Sequence, residues 1–480
     1  MVQSLLSASD LLAALEAIVG PRGITADAAD MEPWLHDWRG RVFGHALAMV
    51  SPATIDEVQA LVRLAAAHRL PLVPQGGNSS MVAGATPDDS GTALLLSLRR
   101  MRHIRSISAE DNSLVAEAGV ILSEVHDAAA AIDRQFPLSL GAKGSATVGG
   151  LVSTNAGGVQ VLRYGTMRSL TLGLEAVLAD GTRFEGLASL RKDNRGFDLK
   201  HLLIGAEGTL GIITAATLKL VPRARTRVTA WIGFNDLART LPLLRHLEAA
   251  TGEQVTSFEI MPQVALDLVR DHLSVSQMPL TGRHAWHVLT EIESSREDDG
   301  IGDAVEAILA RALEAGAITD AAIASNETQA AAFWRLRESV PEAERRDGGA
   351  AKHDVSVTVA DMPRFIEETS AAVMRAFPGT RVLAFGHLGD GNVHFNVRPP
   401  EGTDAAKWLD RNMDAVNRFV DDAVIDAGGS LSAEHGIGQL KLAEFARLAE
   451  PGRLHWMWAI KRALDPLGIF NPGKLLPPCE

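Results

Sequence analysis

The chain has 480 residues, well above the size at which one hydrophobic core stops growing, so we expect two or three domains. Hydrophobic residues make up 46% and charged residues 22%, a globular composition that excludes a largely disordered chain. Lys and Arg total 46 against 59 Asp and Glu, and the net charge of -13 argues against tight binding of a nucleic-acid backbone.

The single cysteine, Cys479, excludes an intrachain disulfide and a zinc site made of cysteines, and it favours a reducing, cytoplasmic location. Residues 1–19 are apolar but carry Asp10 and Glu16 without a positively charged leader, which predicts an amphipathic helix rather than an export signal. The uncharged window 144–162 contains five glycines, so we expect no membrane span there.

The first half of the chain alternates short apolar runs with helical patterns. A strand is predicted at 46–52, an amphipathic helix at 54–70 and a second strand at 71–74. Further apolar runs predict strands at 93–98, 114–118, 172–178 and 212–220. We therefore expect an α+β fold that is rich in strands.

The glycine density falls near Pro222, where we predict a domain boundary. Beyond it, long helical patterns alternate with isolated strands, which favours one antiparallel sheet covered by helices. The predicted helices are 303–314, 361–377 and 405–427, and the predicted strands are 227–234, 284–293, 353–359, 381–385 and 393–397. The expected domains are residues 1–222 and 223–430, with 431–480 as a C-terminal segment that returns to the first.

A first glycine-rich loop, PQGGNSS at residues 74–80, directly follows a predicted strand. Consecutive glycines allow positive φ angles and turn successive backbone amides toward one point, so a loop without basic residues can hold a pyrophosphate. An ordinary tight turn is the alternative interpretation.

Two more glycine-rich loops lie at 140–158 (LGAKGSATVGGLVSTNAGG) and 204–214 (IGAEGTLGIIT). Small side chains at this density let the backbone approach a flat or phosphorylated ligand closely. Gly205, Gly208 and Gly211 have the spacing GxxGxxG instead of GxGxxG, and the P-loop-like stretch 468–474 is followed by Leu475. These departures argue against Rossmann and nucleotide-triphosphatase folds.

The motif HLGDGNVH at 387–394 predicts a hairpin whose turn separates His387 from His394. Further on, SAEHGIG at 432–438 contributes Glu434 and His435. His387, His394 and Glu434 together form a candidate two-histidine, one-carboxylate site for a divalent metal, with zinc as the first choice. Two histidines on the surface beside a turn are the alternative, because spacing alone does not bring Glu434 close.

Arg337 and Lys352 are candidate clamps for an anionic substrate, since a guanidinium binds a carboxylate through a bidentate fork. Solvated charges on a helix and at a strand end explain the same residues equally well.

Taken in order and at these spacings, the motifs resemble the vanillyl-alcohol oxidase/p-cresol methylhydroxylase superfamily of FAD-binding oxidoreductases. The branch with D-lactate dehydrogenases, the glycolate oxidase catalytic subunit and D-2-hydroxyglutarate dehydrogenase is the most similar. The resemblance spans about residues 46–474, and HLGDGNVH followed by SAEHGIG is its most specific part. It implies a two-part FAD-binding domain capped by a substrate domain.

The resemblance also assigns roles to individual residues. The loop 74–80 is similar to the family's pyrophosphate loop, the other glycine-rich loops to its flavin contacts, and Asn471 to the C-terminal residue near the isoalloxazine. The residues expected to bind FAD are Pro74, Gln75, Gly76, Gly77, Asn78, Ser79, Gly84, Leu140, Gly141, Gly144, Ser145, Thr147, Gly149, Gly150, Ser153, Asn155, Gly157, Gly158, Tyr164, Gly165, Glu207, Gly208, Gly211, Ile212 and Asn471.

Two departures from the family pattern matter. Relatives with covalent flavin use a histidine in the first loop or a cysteine near the cap, whereas this loop carries Asn78 and Ser79, so we expect noncovalent FAD. Pro341 stands where some 2-hydroxyglutarate-specific relatives have a hydroxyl residue, and Ser339 could replace that hydroxyl in part.

The resulting expectation is metal-assisted oxidation of a D-2-hydroxy acid, of the D-2-hydroxyglutarate or D-lactate type, to the 2-oxo acid by hydride transfer to FAD. His435 would act as the base, and Arg337, Lys352 and Asn396 would bind the substrate. We expect an electron-transfer flavoprotein, a quinone or a cytochrome as electron acceptor, and a homodimer as the assembly. The alternatives are a glycolate oxidase-like subunit, a flavin-free zinc hydrolase, and a flavoprotein transferase or FAD-binding subunit.

Overall fold

The structure, a computed structural model, describes residues 7–273, 278–297 and 299–478. Cys479 and the first six residues of the predicted N-terminal helix lie outside these ranges.

The helices of the described chain are α1 (Ala8–Val19), α2 (Ala28–Met31), α3 (Ile55–His68), α4 (Leu122–Ala131), α5 (Val148–Ser153), α6 (Val161–Tyr164), α7 (Met167–Leu170), α8 (Lys200–Leu203), α9 (Thr240–Thr251), α10 (Gln263–Leu273), α11 (Ile301–Glu314), α12 (Glu327–Arg346), α13 (Met362–Ala376), α14 (Ala405–Asp426), α15 (Leu442–Leu448) and α16 (Pro451–Leu464). The strands are β1 (Ile24–Thr25), β2 (Ala48–Val50), β3 (Leu72–Gln75), β4 (Leu94–Ser97), β5 (Ile104–Ser108), β6 (Ser113–Glu117), β7 (Arg134–Gln135), β8 (Thr171–Val177), β9 (Arg183–Gly186), β10 (Ile212–Lys219), β11 (Val221–Pro222), β12 (Thr226–Phe234), β13 (Val255–Pro262), β14 (Trp286–Ser294), β15 (Asp320–Ile323), β16 (Ala351–Ser356), β17 (Arg381–His387) and β18 (Asn392–Arg398).

These elements form two compact units that each contain discontinuous stretches of the chain. The first unit comprises Met1–Gly157, Thr166–Arg223 and Glu434–Glu480. The second unit comprises Gly158–Gly165 and Ala224–Ala433. The C-terminal segment therefore belongs to the same unit as the N-terminal glycine-rich loops.

The first unit contains a four-stranded sheet in the order β1-β2-β4-β3 and a five-stranded antiparallel sheet in the order β5-β6-β10-β8-β9. In the first sheet β2, β4 and β3 run parallel. Helix α3 begins where the side chain of Thr54 accepts a hydrogen bond from the N–H of Glu57, and its apolar residues Val58, Leu61 and Val62 are buried on one face.

The C-terminal segment passes beside β3. Leu72 donates its N–H to the carbonyl of Ile469 at 2.7 Å, and Asn471 donates its N–H to the carbonyl of Leu72 at 2.8 Å. Asn471 is thereby fixed beside β3, the strand from which the first glycine-rich loop departs.

The second unit is built on a seven-stranded antiparallel sheet in the order β15-β12-β14-β13-β17-β18-β16. Side chains of α9, α11, α13 and α14 bury one set of strand residues, and side chains of α10 and α12 bury another. The predicted α+β fold with an antiparallel sheet covered by helices is confirmed.

Most predicted strands and helices lie within a few residues of their observed bounds. The strands that were not predicted from the sequence are β1, β5, β7, β9, β11, β13 and β15, and the helices that were not predicted include α4, α9, α10, α12 and α16. Of these strands, β13 occupies the centre of the second unit's sheet. Among the described helices, none combines the length and hydrophobicity that a membrane span requires.

Candidate active site

The first and second glycine-rich loops contact each other within the first unit. A Cβ added at Gly77 would lie 1.7 Å from the carbonyl oxygen of Ser145, and one added at Gly76 would lie 2.2 Å from Oγ1 of Thr147. Real Cβ atoms do not approach oxygen so closely, so residue 77 must be glycine for these loops to meet, whereas a side chain at residue 76 would require Thr147 to rotate.

The third loop reaches the same place. Gly208 has a φ of +73°, and a Cβ there would lie 2.4 Å from Cγ of Pro74. At the start of α5, Gly149 lies against Ala118, whose Cβ would be 2.7 Å away from an added Cβ. The three loops that were predicted to bind a nucleotide therefore converge beside the end of β3.

Several polar side chains at these loops have buried atoms without a partner in the described part of the chain. They are Oε1 of Gln75, Oγ1 of Thr147 and Oδ1 of Asn471. Asn471 itself is held by its Nδ2, which donates to the carbonyls of Gly84 at 2.9 Å and Glu207 at 2.7 Å. Buried polar atoms of this kind normally have a partner, so the loops fit a polar ligand such as the predicted dinucleotide.

Glu207, a predicted cofactor contact, anchors the C-terminal segment. Its carboxylate accepts hydrogen bonds from the N–H groups of Ile437 and Gly438, both at 2.8 Å. Burial raises the pKa of Glu207, and these two hydrogen bonds oppose the shift. Glu207 thus fixes the backbone two and three residues beyond His435.

The remaining predicted FAD residues occupy varied environments. Gly141, Gly144 and Ser145 are exposed, Gly157 and Gly211 are buried, and the buried side chain of Ile212 belongs to the hydrophobic core. Half-buried positions of the first unit are Asn78, Ser79, Gly84, Leu140, Gly150, Ser153 and Asn155. Three of the predicted residues belong instead to the second unit: Gly158, Tyr164 and Gly165.

In the second unit, the hairpin of β17 and β18 brings His387 and His394 together as predicted. Their rings are edge to face with centroids 5.5 Å apart. The ring of His394 also lies 5.0 Å from that of Phe385, and its Nδ1 lies 3.8 Å from Oδ1 of Asp354. Two imidazoles at this separation suit a common metal ion.

Sequence reasoning missed a buried carboxylate beside this pair. Glu259 on β13 is opposite His387 on β17 and is completely buried. Its Oε1 accepts a hydrogen bond from Nδ1 of His387, and its Oε2 accepts one from Nε of Arg337 at 2.8 Å. Burial acts to raise the pKa of Glu259, but the charges and hydrogen bonds of His387 and Arg337 prevail and lower it to about 2. The carboxylate is therefore ionised.

The turn of the hairpin contributes further polar groups. Asn392 donates from Nδ2 to Oδ1 of Asp354 at 2.9 Å and to the carbonyl of Val355 at 3.0 Å. Asp390 accepts from the N–H of Asn392 at 3.0 Å, and burial raises the pKa of Asp390. Asn392 therefore ties the hairpin to β16.

The predicted substrate residues are also held by buried carboxylates. Nζ of Lys352 lies 2.7 Å from Oε2 of Glu344, and Nδ2 of Asn396 donates to the same oxygen at 2.9 Å. Glu344 is completely buried. Arg337 stacks its guanidinium 5.0 Å above the ring of Phe385. Each predicted cationic clamp thus has a carboxylate partner that the sequence patterns did not indicate.

The chain leaves the second unit next to this hairpin. The backbones of Ser356 and Ser430 exchange two hydrogen bonds, at 3.0 and 2.8 Å, and the N–H of Ala433 donates to the carbonyl of Asp354 at 3.3 Å. Asp354 is paired with His394 in the sheet. Glu434 follows Ala433 directly and, with His435, opens the last segment of the first unit.

Comparisons with known proteins agree with the resemblance inferred from the motifs. Residues 223–475 match the family described as FAD linked oxidases, C-terminal domain, and residues 46–186 match the FAD binding domain family. A mitochondrial D-2-hydroxyglutarate dehydrogenase of Bos taurus is 38% identical over 98% of this chain and 84% of its own length. A D-2-hydroxyglutarate dehydrogenase of Xanthomonas citri pv. viticola is 36% identical over 96% of both chains. A solved structure of p-cresol methylhydroxylase has a similar fold, with a TM-score of 0.77 at 16% identity over 98% of this chain and 97% of that one.

Proposed function

Because this chain belongs to the FAD-linked oxidase family and is an FAD-dependent dehydrogenase, we propose that it oxidises D-2-hydroxyglutarate to 2-oxoglutarate. The observation that carries the proposal is the group formed by Glu259, His387 and Arg337. In this group the carboxylate of Glu259 holds a histidine, which can bind a metal ion, and an arginine, which can bind a carboxylate. A 2-hydroxy dicarboxylic acid needs both kinds of residue. The expectation of a flavoprotein is confirmed over the flavin-free hydrolase.

The first unit would hold FAD without a covalent bond. Its glycine-rich loops leave no room for a side chain at residue 77, and two buried oxygens have no partner among the described residues: the hydroxyl Oγ1 of Thr147, which can donate or accept, and Oδ1 of Asn471, which can accept. Bound FAD supplies the two-electron acceptor for the hydride of the substrate. Asn78 and Ser79 occupy the loop where a covalent attachment would need a histidine.

We propose that His387, His394 and Glu434 hold one divalent metal ion, with zinc as the first choice. They offer two ring nitrogens and a carboxylate oxygen, which is a donor set that leaves a position open for substrate. Ala433 donates a backbone hydrogen bond to Asp354, the residue opposite His394 in the sheet. Glu434 is the next residue in the chain, one Cα–Cα step of about 3.8 Å from Ala433. The ion would supply a Lewis acid that lowers the pKa of the substrate hydroxyl.

The chain's own residues would then perform the remaining steps. His435 would take the proton of the substrate hydroxyl as hydride leaves the carbon that bears this hydroxyl. Arg337 and Lys352 would bind the substrate carboxylates, with Asn396 as a further donor. Two side chains that can each donate hydrogen bonds to a carboxylate favour a dicarboxylic acid over D-lactate or glycolate, which have a single carboxylate.

Anaerobic mixing of the purified yellow protein with D-2-hydroxyglutarate, L-2-hydroxyglutarate, D-lactate, glycolate and D-malate tests the proposal. We expect D-2-hydroxyglutarate to bleach the flavin fastest and a chelator to slow the bleaching. His435→Ala should retain FAD and metal yet lose at least about 100-fold in the rate of reduction, as expected for loss of a general base. Equal bleaching by D-lactate would overturn the proposed substrate, and normal reduction of His435→Ala would overturn its role.

The electron acceptor is proposed on chemical grounds alone. Reduced flavin would pass its electrons to an electron-transfer flavoprotein, a quinone or a cytochrome. Steady-state assays with each acceptor, after anaerobic reduction by the substrate, would identify which one reoxidises the protein at the turnover rate.

A further inference from the structure

Glu259 bonds two residues of different proposed function at once, one through each oxygen. We propose that Glu259 is a positioning residue that couples metal binding by His387 to substrate-carboxylate binding by Arg337. This inference rests on the proposed function, because it concerns the same metal and the same substrate.

The burial of Glu259 argues that its charge is kept for positioning. Removing a carboxylate from water costs several kcal/mol or more, and buried ion pairs are often no more stabilising than well-packed apolar residues. The side chain is nevertheless completely buried on the central strand of the sheet, between the buried apolar residues Phe258 and Ile260 in sequence and beside the buried Leu289 on β14. Stability alone would be served by an apolar residue at position 259.

The bond to His387 selects the nitrogen that can bind metal. A carboxylate only accepts hydrogen bonds, so Nδ1 of His387 carries a proton, and Nε2 is the ring nitrogen left to bind a metal ion once it is deprotonated. A carboxylate behind a metal-binding histidine fixes the ring's orientation and raises its basicity as a ligand. Loss of such a partner typically weakens metal binding about 10- to 100-fold.

The bond to Arg337 fixes the orientation of the guanidinium. Its Nε donates to Oε2 of Glu259, and its Cζ lies over the ring of Phe385, 5.0 Å from the ring centroid. In the described part of the chain its two Nη groups make no hydrogen bond, so they form the edge that can bind a carboxylate in a bidentate fork. Arg337 is 7% exposed, which leaves little freedom for another arrangement.

Glu259→Gln tests this coupling with nearly the same shape. A glutamine oxygen can still accept from His387, but it lacks the negative charge that raises the basicity of the ring as a metal ligand. Its NH₂ group then faces the Nε–H of Arg337, and two donors meet. The matched control is Glu293→Gln, which also removes a buried carboxylate of the same sheet. Glu293 is 1% exposed and accepts from Arg227 through Nε at 3.0 Å and Nη2 at 2.7 Å.

The first measurement is zinc affinity, obtained by chelator competition on the FAD-loaded protein. We expect Glu259→Gln to bind Zn²⁺ about 10- to 100-fold more weakly than the wild type and Glu293→Gln to stay within about 3-fold. Flavin content and melting temperature are recorded for each variant. An unchanged zinc affinity in a flavin-loaded Glu259→Gln protein, or an equal loss in Glu293→Gln, would overturn the proposal.

The second measurement separates positioning from general damage to the fold. If Glu259 acts on the substrate through Arg337, Glu259→Gln should raise KM for D-2-hydroxyglutarate when Arg337 is present. It should not raise KM further when it is added to the Arg337→Ala variant. Its effect on zinc affinity should persist in that background, because His387 is unchanged. Equal rises in KM in both backgrounds would refute the coupling.

Glu259→Asp covers the case in which the glutamine variant does not fold. The aspartate side chain is one methylene shorter, so its carboxylate can reach either His387 or Arg337 but not both. We therefore expect a large change either in zinc affinity or in KM for D-2-hydroxyglutarate, and a much smaller change in the other quantity. Two unchanged values would refute the proposal. A wild-type protein that binds Zn²⁺ but is not reduced by D-2-hydroxyglutarate would instead overturn the proposed substrate and leave the zinc comparison valid.

Discussion

Replacing Gly77 with alanine is a direct test of the loops assigned to FAD. The new Cβ would lie 1.7 Å from the carbonyl oxygen of Ser145 and 2.7 Å from its carbonyl carbon. Non-bonded atoms need about 3.5 Å, so one of the two backbones must move by roughly 1.8 Å. The φ angle of Gly77 lies outside the left-handed region, so the added methyl group is the only new source of strain.

The size of the effect on FAD binding depends on how easily the atoms that the new Cβ meets can move. Overpacking against backbone typically costs about 1–3 kcal/mol, which corresponds to FAD binding about 5- to 150-fold weaker if the displaced loops are the cofactor contacts. Gly76→Ala should have a smaller effect, because its Cβ would meet Oγ1 of Thr147, the end of a side chain that can rotate. Gly452→Ala is the control, since an added Cβ there meets nothing within 4 Å.

The assay is titration of FAD into flavin-depleted protein, followed by flavin fluorescence, with circular dichroism to verify that each variant is folded. We expect the largest dissociation constant for Gly77→Ala, a smaller one for Gly76→Ala, and the wild-type value for Gly452→Ala. A folded Gly77→Ala variant that binds FAD as tightly as Gly452→Ala would refute the assignment of this loop to the cofactor.

Two further predictions concern charged side chains. Arg337→Ala should raise KM for D-2-hydroxyglutarate more than for D-lactate, because only the former has a second carboxylate; equal rises would contradict a role in binding that carboxylate. Burial, opposed by Asp88, lowers the pKa of Lys474 from 10.5 to about 8, so the folded protein binds fewer protons than the unfolded one between these pH values and its stability rises with pH across that window. Lys474→Met should therefore raise the free energy of unfolding of the flavin-depleted protein by up to about 3 kcal/mol below pH 8 and leave it unchanged above pH 10.5. Urea unfolding in each of the two pH ranges measures this difference, and a destabilised variant at pH 7 would contradict the prediction.

The helices and strands that were predicted correspond to observed elements, but helices such as α9, α10 and α12 were not predicted. Strand β13 was missed because all of Val255–Met261 is buried, so no alternation of exposed and buried residues marks it. Its polar members Thr256, Ser257 and Glu259 further disguise it as a loop. A strand in the middle of a sheet with helices on both faces gives no period of two to detect.

Site prediction had a similar limit. His387 and His394 are separated by one turn, so local geometry sufficed to bring them together. Glu259 reaches His387 across 128 residues of sequence, and only the register of β13 with β17 makes them neighbours. Glu344 lies inside an amphipathic helix, where a carboxylate is ordinarily solvated, and its partner Lys352 lies on the following strand. Contacts of this kind depend on tertiary packing and have no signature in residue spacing.

These carboxylates also bear on how a dianionic substrate could be bound. Arg337 is paired with Glu259 and Lys352 with Glu344, so the two clamps bring no net positive charge, and Asp354 near His394 adds a negative one. Electrostatic attraction for two carboxylates must then come from elsewhere, and a divalent cation on the histidine pair would supply it. Removal of the metal should consequently weaken substrate binding as well as the chemical step, whereas a purely structural ion would leave the affinity for 2-oxoglutarate unchanged.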